Sequence, residues 1–552
     1  PRIDYEMLKQ HNEGIIALSA CLGGVYATDF WENWDNGEEA ILNAMRETSR
    51  RMIDIFGDRW YGEIQWNSVP EQHKLNQYVI RVCDEFGIKV VTTGDSHYPT
   101  PESWKDREIY KKLGFLGNGK VIDTTLPDSI DDMEYTLYPK NGDQMWEAYK
   151  KYSAKCGVKY NDDFVLKTIE ETHDIAFNRI ESFFPDNTVR LPNFILPEGK
   201  TAEQTLDELA EIGLREMKKW SNKEYRERLS RELEVIKERG FAKYFLTMKA
   251  ISDRADKSYI VGPGRGSAAG ALVSYVLGIT QVDPIRHGLQ FERFLSKTAT
   301  DYPDIDYDVS DAMGLKQNLI DEWGKNNVVP ITNWNTLQLR SLIKDISKFY
   351  GVDFQEVNAV TNKMLLEATP LAKAEHGITA GIYNPTFEEV MKHSQTLQDF
   401  LKKYPHIKTH VEQLHGSIRS ASRHAGGIVV GENLDRWMPL INSKGVRQTP
   451  WSEGQNVRHL EPMGFIKFDV LGLETLSMME KAIEHILRRH KGVKNPTIKD
   501  VKDFYNNNLH PDVIDLNDKN VYENIFHSGK WAGIFQFTEG GAQNFCQKVK
   551  PN

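Results

Sequence analysis

The alternation of apolar and polar positions predicts short strands and helices in the first third of the chain. Three apolar runs between residue 1 and about residue 175 predict buried strands that end in loops: GIIALSACLGG, WYGEIQ and IKVVTTGDSHYP. The stretch SVPEQHKLNQYVIRVCDEFG, between the second and third runs, predicts a helix. This order predicts a β-α-β unit, in which a helix joins two parallel strands.

Helical periodicity dominates the rest of the chain. NFILPEG predicts a linker, and Thr201 then predicts a helix N-cap, with Gln204 completing a capping box. Residues 336 to about 415 are again mostly helical, and the tail is helical from residue 474. Three segments between the helical stretches predict short strands: PDIDYDVS, HAGGIVVG and GFIKFDVLGL.

PDIDYDVS carries three carboxylates at alternate positions. Side chains alternate between the faces of a strand, so we expect Asp304, Asp306 and Asp308 to share one face. Carboxylates placed so closely repel one another unless a cation lies among them, and Mg²⁺ prefers such oxygen ligands. The alternative is an exposed edge strand on which charges prevent aggregation.

Asp469 is the lone acid in the apolar run IKFDVLG. By itself it is better interpreted as a structural acid with satisfied hydrogen bonds, because a buried carboxylate needs a partner. Together with PDIDYD it would place acids on two strands, which is the arrangement that two metal ions use for in-line phosphoryl transfer.

The segment VGPGRGSAAG predicts a glycine-rich loop followed by a helix of small residues. Gly264 and Gly266 would let the backbone approach a ligand, and amides at a helix start bind anions. Arg265 could clamp a phosphate with two hydrogen bonds, and Ser267 could cap the helix or donate to a phosphate oxygen. A tight turn before a packed helix is the alternative.

Composition narrows the class of protein. The 552 residues suggest three or four domains, and 40% hydrophobic with 27% charged residues is typical of a globular chain. A net charge of −10 does not predict nucleic-acid binding, so any DNA contact would come from local basic patches. The four scattered cysteines, which form no CxxC pair, favour a reducing cytoplasm. Since no apolar run is long enough to span a bilayer, we expect no transmembrane helix. Both ends resemble cuts through a longer polypeptide.

Six motifs occur here in the order found in the C-family DNA polymerases, the DNA polymerase III alpha subunits. They are GPGRGSAAG, FERFL, PDIDYD, HAGGIVV, KFDVLGL and GIFQF. The chain resembles this family over nearly its whole length. The resemblance implies an α/β and α+β multidomain fold with a nucleotidyltransferase-type palm built on a mixed sheet. The implied domains are the carboxy-terminal part of a βα-barrel-like PHP domain (1–175), palm (176–335 and 421–475), helical thumb (336–420) and the start of helical fingers (476–552).

The resemblance also implies roles for individual residues. Asp304, Asp306 and Asp469 match the catalytic aspartates that hold two Mg²⁺ ions, and Asp308 would lie behind them. Gly264, Arg265, Gly266 and Ser267 match the loop that receives the triphosphate, and Arg293 and Lys467 match phosphate-neutralising positions near the active site. One departure concerns Ala299, where the family usually has an arginine; Lys297 is nearby.

A second metal site is implied in the PHP region. Asp95 and His97 resemble the last ligand pair of that domain, and Cys21 matches another ligand position; such sites hold zinc, manganese or iron. The pair alone favours an ordinary surface, and only the resemblance brings the two interpretations level. The expected earlier ligands would precede Pro1. The residues of this chain therefore do not complete that site.

Arg340, Lys344 and Lys348 recur at i, i+4 and i+8, so a helix would carry them on one face. The alternative to a DNA-binding face is an ordinary solvated helix face. In the family the corresponding helices belong to the thumb and hold the primer–template duplex through its phosphates.

Three functions compete at this point. The first is template-directed DNA polymerisation from dNTPs on primer–template DNA, in a bacterial cell or a phage-infected host. The others are a PHP-type phosphoesterase or 3′–5′ exonuclease and a non-catalytic DNA-binding scaffold of the replisome. The intact PDIDYD and GPGRGS motifs favour the first. We expect a sliding clamp and other replisome subunits to bind through parts of the family's polypeptide that this chain lacks.

Overall fold

A computed structural model describes residues 3–113, 125–297, 302–378, 383–454, 457–537 and 540–551. The described residues combine helices with small sheets and divide into two compact units. The first unit comprises Arg2–Phe184 and Thr336–Ser417, and the second comprises Pro185–Asn335 and Ile418–Asn552. No helix among the described residues is both long and apolar enough to cross a membrane.

The helices in the described part of the chain are α1 (Tyr5–Gln10), α2 (Val25–Glu32), α3 (Glu38–Phe56), α4 (Pro70–Phe86), α5 (Trp104–Leu113), α6 (Gly142–Lys155), α7 (Asp162–Asp174), α8 (Ala202–Glu216), α9 (Lys223–Glu238), α10 (Ala242–Ser258), α11 (Leu272–Val276), α12 (Ala312–Trp323), α13 (Leu339–Phe349), α14 (Phe354–Glu375), α15 (Phe387–His393), α16 (Gln395–Lys403), α17 (Pro405–Leu414), α18 (Glu474–His490), α19 (Ile498–Asn508), α20 (Lys519–Val521) and α21 (Gly540–Val549).

The strands there are β1 (Ala17–Leu18), β2 (Trp60–Ile64), β3 (Val90–Thr92), β4 (Asp306–Val309), β5 (Val328–Thr336), β6 (Ile418–Val430), β7 (Ile441–Ser443), β8 (Val446–Gln448), β9 (Glu453–Gly454), β10 (Val457–Arg458) and β11 (Lys467–Gly472).

The first unit contains a parallel sheet in the order β1-β2-β3. Helix α4 connects β2 to β3, which confirms the predicted β-α-β unit. A Cβ on Gly62 of β2 would lie 2.4 Å from Cys83 Sγ on α4, so the absence of a side chain lets helix and strand approach closely. All four cysteines of the chain are free thiols.

The predicted helical stretch after residue 336 is confirmed as α13 to α17. These helices share an apolar core with α5 of the same unit, formed by residues such as Ile109, Leu342 and Val411. A buried polar chain crosses this core, since His410 Nδ1 lies 2.8 Å from Asp106 Oδ1 and its Nε2 lies 2.8 Å from Tyr350 Oη. The hydrogen bonds offset the cost of burying these polar groups.

The second unit is built around a four-stranded mixed sheet in the order β4-β11-β6-β5. Strands β4 and β11 are parallel, and β11 and β6 are antiparallel. Thr201 caps α8 with Gln204 as the predicted capping box. Helices α8 to α12 cover one side of the sheet through a large apolar core that includes Phe245, Leu272 and Phe468. The tail forms α18 to α21, as the periodicity predicted.

Candidate active site

Strand β4 presents acids on one face because its other face is buried. Ile305, Tyr307 and Val309 are at most 2% exposed and belong to the core of the second unit. Tyr244 on α10 accepts a hydrogen bond from the Ile305 backbone N–H at 3.0 Å and stacks on Phe468 of β11. The core therefore sets which way the alternating carboxylates point.

The strand pairing brings together acids that are far apart in sequence. Asp306 on β4 is the register partner of Asp469 on the adjacent parallel strand β11. Neighbouring strands lie about 4.8 Å apart, so these two carboxylates are neighbours. The strand begins only at Asp306. The prediction that Asp304 belongs to the same strand is wrong, because that residue precedes the hydrogen-bonded ladder.

Two basic side chains compensate the acids. Arg265 bridges two of them: its Nη1 lies 2.9 Å from Asp306 Oδ2 and its Nε lies 3.0 Å from Asp308 Oδ2. Lys467 Nζ lies 2.7 Å from Asp469 Oδ2 on the same strand. Arg265 therefore engages Asp308 as well as Asp306.

The glycine-rich loop is fastened beside β4. Gly262 donates its N–H to the Asp308 carbonyl oxygen at 2.8 Å, and a β-bridge joins Val261 to Val309. Gly264 (φ +108°) and Gly266 (φ +69°) take backbone conformations that favour glycine. Ser267 begins a short 3₁₀ turn, Ser267–Gly270, before α11, and the residue at the N-cap position of that turn is Gly266. The capping role suggested for Ser267 is therefore wrong, and its hydroxyl is exposed.

Burial and mutual repulsion perturb the titration of these acids. Burial raises the pKa of Asp304, and the negative charge of Asp469 raises it further. Burial also raises the pKa of Asp306 and of Asp308, and Arg265 opposes the shift in both. For Lys467, burial alone would lower the pKa, but the hydrogen bond to Asp469 and the negative charges of Asp469, Asp304 and Glu453 together outweigh burial, so the pKa is raised.

Asp469 retains one oxygen atom without a hydrogen-bond partner. Asp469 Oδ1 is buried and unsatisfied, which is costly in a folded protein. A Cβ on Gly426 of β6 would lie 3.4 Å from that oxygen, so the glycine leaves space in front of it. The orphaned oxygen and the oxygen-rich donor set fit a hard divalent cation. Among the described residues, however, no group of three or more His, Cys, Asp or Glu side chains stands ready to hold a metal ion.

Sequence reasoning missed two groups near Asp469. Lys316 on α12 is 4% exposed and donates to the Ala425 carbonyl oxygen at 2.6 Å; burial lowers its pKa to about 8. His424 accepts the Gly427 N–H on Nδ1 at 2.7 Å, and burial lowers its pKa, so the ring is neutral at neutral pH. The HAGG motif could have signalled His424, whereas no pattern marks Lys316.

A pocket of about 380 Å³ adjoins the acids. Asp304 and Lys467 line it together with Tyr302, Glu453 and Arg458. The glycine-rich loop therefore lies beside Asp306 and Asp308, and the open cavity lies beside Asp304.

Two family models match the chain. The model for the bacterial DNA polymerase III alpha NTPase domain matches residues 203–472, and the model for the bacterial DNA polymerase III alpha subunit finger domain matches residues 475–552. The chain belongs to the bacterial DNA polymerase III alpha-subunit family. The predicted membership in the C-family of polymerases is thereby confirmed.

Relatives named DNA polymerase III subunit alpha align with all of this chain. The Aquifex aeolicus protein is 33% identical, the Campylobacter jejuni protein 29% and the Thermus aquaticus protein 28%, each over 100% of the chain. The chain spans 46%, 44% and 46% of these relatives, which is about half their length.

Arg293, which the resemblance places near the phosphates, and the nearby Lys297 make no contact with the acids in the described part of the chain. Arg293 is exposed on the 3₁₀ turn Phe291–Arg293, and no contact within the described ranges links it to the acids. Ala299 lies outside the described residues. Lys297 Nζ lies about 3 Å from both Glu234 and Glu238 of α9, so its charge is locally neutralised.

In the first unit, Cys21, Asp95 and His97 line one pocket of about 590 Å³. His97 Nδ1 lies 2.8 Å from the Asp95 carbonyl oxygen, so this nitrogen donates and Nε2 is left as an acceptor. Asp95 has a left-handed backbone with φ +46°. The three side chains line one cavity, but in the described part of the chain they do not form a group that could hold a metal ion.

Arg340, Lys344 and Lys348 lie on one side of α13. Lys344 Nζ donates to Asn358 Oδ1 at 2.8 Å, and Arg340 donates to the Asn362 side chain one turn further along α14. Both partners are uncharged, so these two contacts orient the basic groups without neutralising them. A cationic helix face of this kind suits phosphate contacts.

Proposed function

We propose that the polypeptide containing this chain is a template-directed DNA polymerase, which transfers a nucleotide from a dNTP to the primer 3′-hydroxyl and releases pyrophosphate. The observation that carries the proposal is the direct pairing of Asp306 with Asp469 on parallel strands, with a buried Asp469 oxygen left unpartnered. Family membership supports the same activity.

Asp304, Asp306 and Asp469 are the residues that would hold two Mg²⁺ ions. When bound, these ions would activate the 3′-hydroxyl and stabilise charge on the triphosphate and on the leaving pyrophosphate. The cations also explain why acids with raised pKa values would ionise together in the working enzyme, because positive charge replaces lost hydration.

The other residues of the second unit would bind and orient the nucleotide. Arg265 and the exposed Ser267 hydroxyl, on the loop shaped by Gly264 and Gly266, would take triphosphate oxygens. Lys467 and Arg293 would add positive charge near the phosphates. Arg265 has a suitable planar group, since a guanidinium can bind phosphate as it binds carboxylate here.

The domain assignments complete the proposal. Residues 1–175 would belong to the PHP domain, 176–335 and 421–475 to the palm, 336–420 to the thumb and 476–552 to the fingers. Arg340, Lys344 and Lys348 would then follow the phosphates of the primer–template duplex without sequence preference. A sliding clamp and other replisome subunits would bind elsewhere on the family's polypeptide, in the cytoplasm of a bacterium or an infected host.

The test is primer extension in the intact polypeptide with Mg²⁺ and four dNTPs. Asp306→Asn removes the charge of one metal ligand, and we expect extension to fall at least about 100-fold, because metal stabilisation of the transition state supplies several kcal/mol. Primer–template binding should stay within a few-fold. Asp321→Asn is the matched control, since that exposed acid of α12 bonds only to Gln317 in the described contacts. Normal extension by Asp306→Asn would contradict the two-metal assignment.

The cavity of Cys21, Asp95 and His97 supports a second candidate, a metal-dependent phosphoesterase or 3′–5′ exonuclease with zinc or manganese. The same assay separates the two activities. Primer shortening that survives Asp306→Asn and is lost in His97→Ala would assign it to the first unit, and shortening unaffected by His97→Ala would exclude this cavity.

A further inference from the structure

The Arg265 guanidinium contacts three groups. Two are the carboxylates of Asp306 and Asp308, and the third is the ring of Phe535, whose centroid lies 5.9 Å from the guanidinium carbon. Phe535 belongs to the GIFQF motif, more than 260 positions away in sequence, and no role for it follows from the acids alone. The contact is a cation–π interaction within the second unit.

The backbone around Phe535 is held in a defined shape. Phe537 packs against the rings of Phe526 and Trp531, at centroid distances of 5.5 and 6.2 Å, and its carbonyl oxygen accepts a hydrogen bond from Gln543. Gln536, between the two phenylalanines, has a left-handed backbone with φ +63°, which costs a non-glycine residue about 1 kcal/mol or more. Phe537 is thus anchored by its contacts, and Phe535 contacts Arg265 from the other side of the strained residue Gln536.

Arg265 and a metal ion would compete for the same oxygens. Arg265 Nη1 occupies Asp306 Oδ2 at 2.9 Å, whereas Asp469 Oδ1 has no partner. A cation would therefore have to displace Arg265 at Asp306 Oδ2, but no side chain at the buried Asp469 Oδ1. Anything that favours Arg265 in its present position must weaken cation binding at Asp306 to the same extent.

We propose that Phe535 is a positioning residue that acts through Arg265: its ring holds the guanidinium over Asp306 and Asp308, and so couples the GIFQF segment to cation binding by the acids. This inference rests on the proposed function. When an incoming triphosphate draws Arg265 away, Asp306 becomes free to bind a cation. The segment would thereby disfavour metal loading before a nucleotide arrives.

The test measures Mn²⁺ binding to the intact protein by electron paramagnetic resonance, without DNA or nucleotide. Asp306→Asn defines the fraction of binding that belongs to these acids. Phe535→Leu keeps much of the volume but loses the π-face, and we expect the Kd of that fraction to fall about two- to fivefold. Phe535→Tyr and Phe535→Trp should retain wild-type or weaker binding, because both keep a ring that attracts the cation. Thermal melts check that each variant folds.

A double-mutant cycle tests whether the effect passes through Arg265. Arg265→Ala should itself tighten Mn²⁺ binding, and Phe535→Leu should add nothing in that background. An unchanged Kd in Phe535→Leu, or an equal effect with and without Arg265, would overturn the inference while leaving the polymerase proposal intact. Mn²⁺ binding that is indifferent to Asp306→Asn would instead contradict the metal assignment of the proposed function.

Discussion

Gly266→Ala tests whether the shape of the glycine-rich loop matters for catalysis. Gly266 has φ +69° and ψ −161°, a region that is accessible essentially to glycine alone. A Cβ there would lie 3.5 Å from Asp306 Oδ2, which is an ordinary contact. Backbone strain is therefore the main cost, at about 1–3 kcal/mol. This free energy corresponds to about a 5- to 150-fold loss of the native loop conformation.

The assay is single-nucleotide extension by the intact polypeptide, with kcat and the KM for dNTP measured separately. We expect Gly266→Ala to raise KM or lower kcat within that range, since the loop carries Arg265 and Ser267. Gly240→Ala is the matched control: Gly240 also has a positive φ, +70°, but nothing lies within 4 Å of its added Cβ. Wild-type kinetics in a folded Gly266→Ala protein, or equal losses in Gly240→Ala, would refute the reasoning.

Two further predictions concern the first unit. Arg340→Glu with Lys344→Glu should weaken primer–template binding and lower the slope of log Kd against log salt concentration by the equivalent of about two phosphate contacts. Lys402→Glu on α16 should change that slope less. An unchanged slope in fluorescence anisotropy titrations would show that α13 carries an ordinary solvated face. Hydrogen bonds from Ser394 and Thr396 lower the pKa of Glu367 to about 2. The stabilisation that ionised Glu367 gives the folded protein is therefore present above pH 4.5 and is lost as the pH falls towards 2. Glu367→Gln should therefore lower the free energy of unfolding at pH 7 by about 1 kcal/mol. In urea unfolding, the difference in that free energy between variant and wild type should shrink as the pH is lowered. A difference that does not change with pH would contradict this.

Local features were predictable from the sequence because they depend on near neighbours. The capping box of Thr201 and Gln204, the β-α-β unit around α4 and the helices after residue 336 follow from periodicity and capping chemistry within about 20 residues. The ordered motifs also indicated the family and the acids. Periodicity could not show where the β4 ladder begins, since that depends on a partner strand, and Asp304 was therefore wrongly placed within it.

Only the tertiary structure decided how distant residues meet. The pairing of Asp306 with Asp469 joins strands separated by the whole helical stretch α13 to α17, and no local pattern specifies that register. The same is true of Lys316 beside Ala425 and of Phe535 over Arg265. Hydrophobic periodicity determines which face of an element is buried, but packing against non-local partners determines which polar groups that burial brings together.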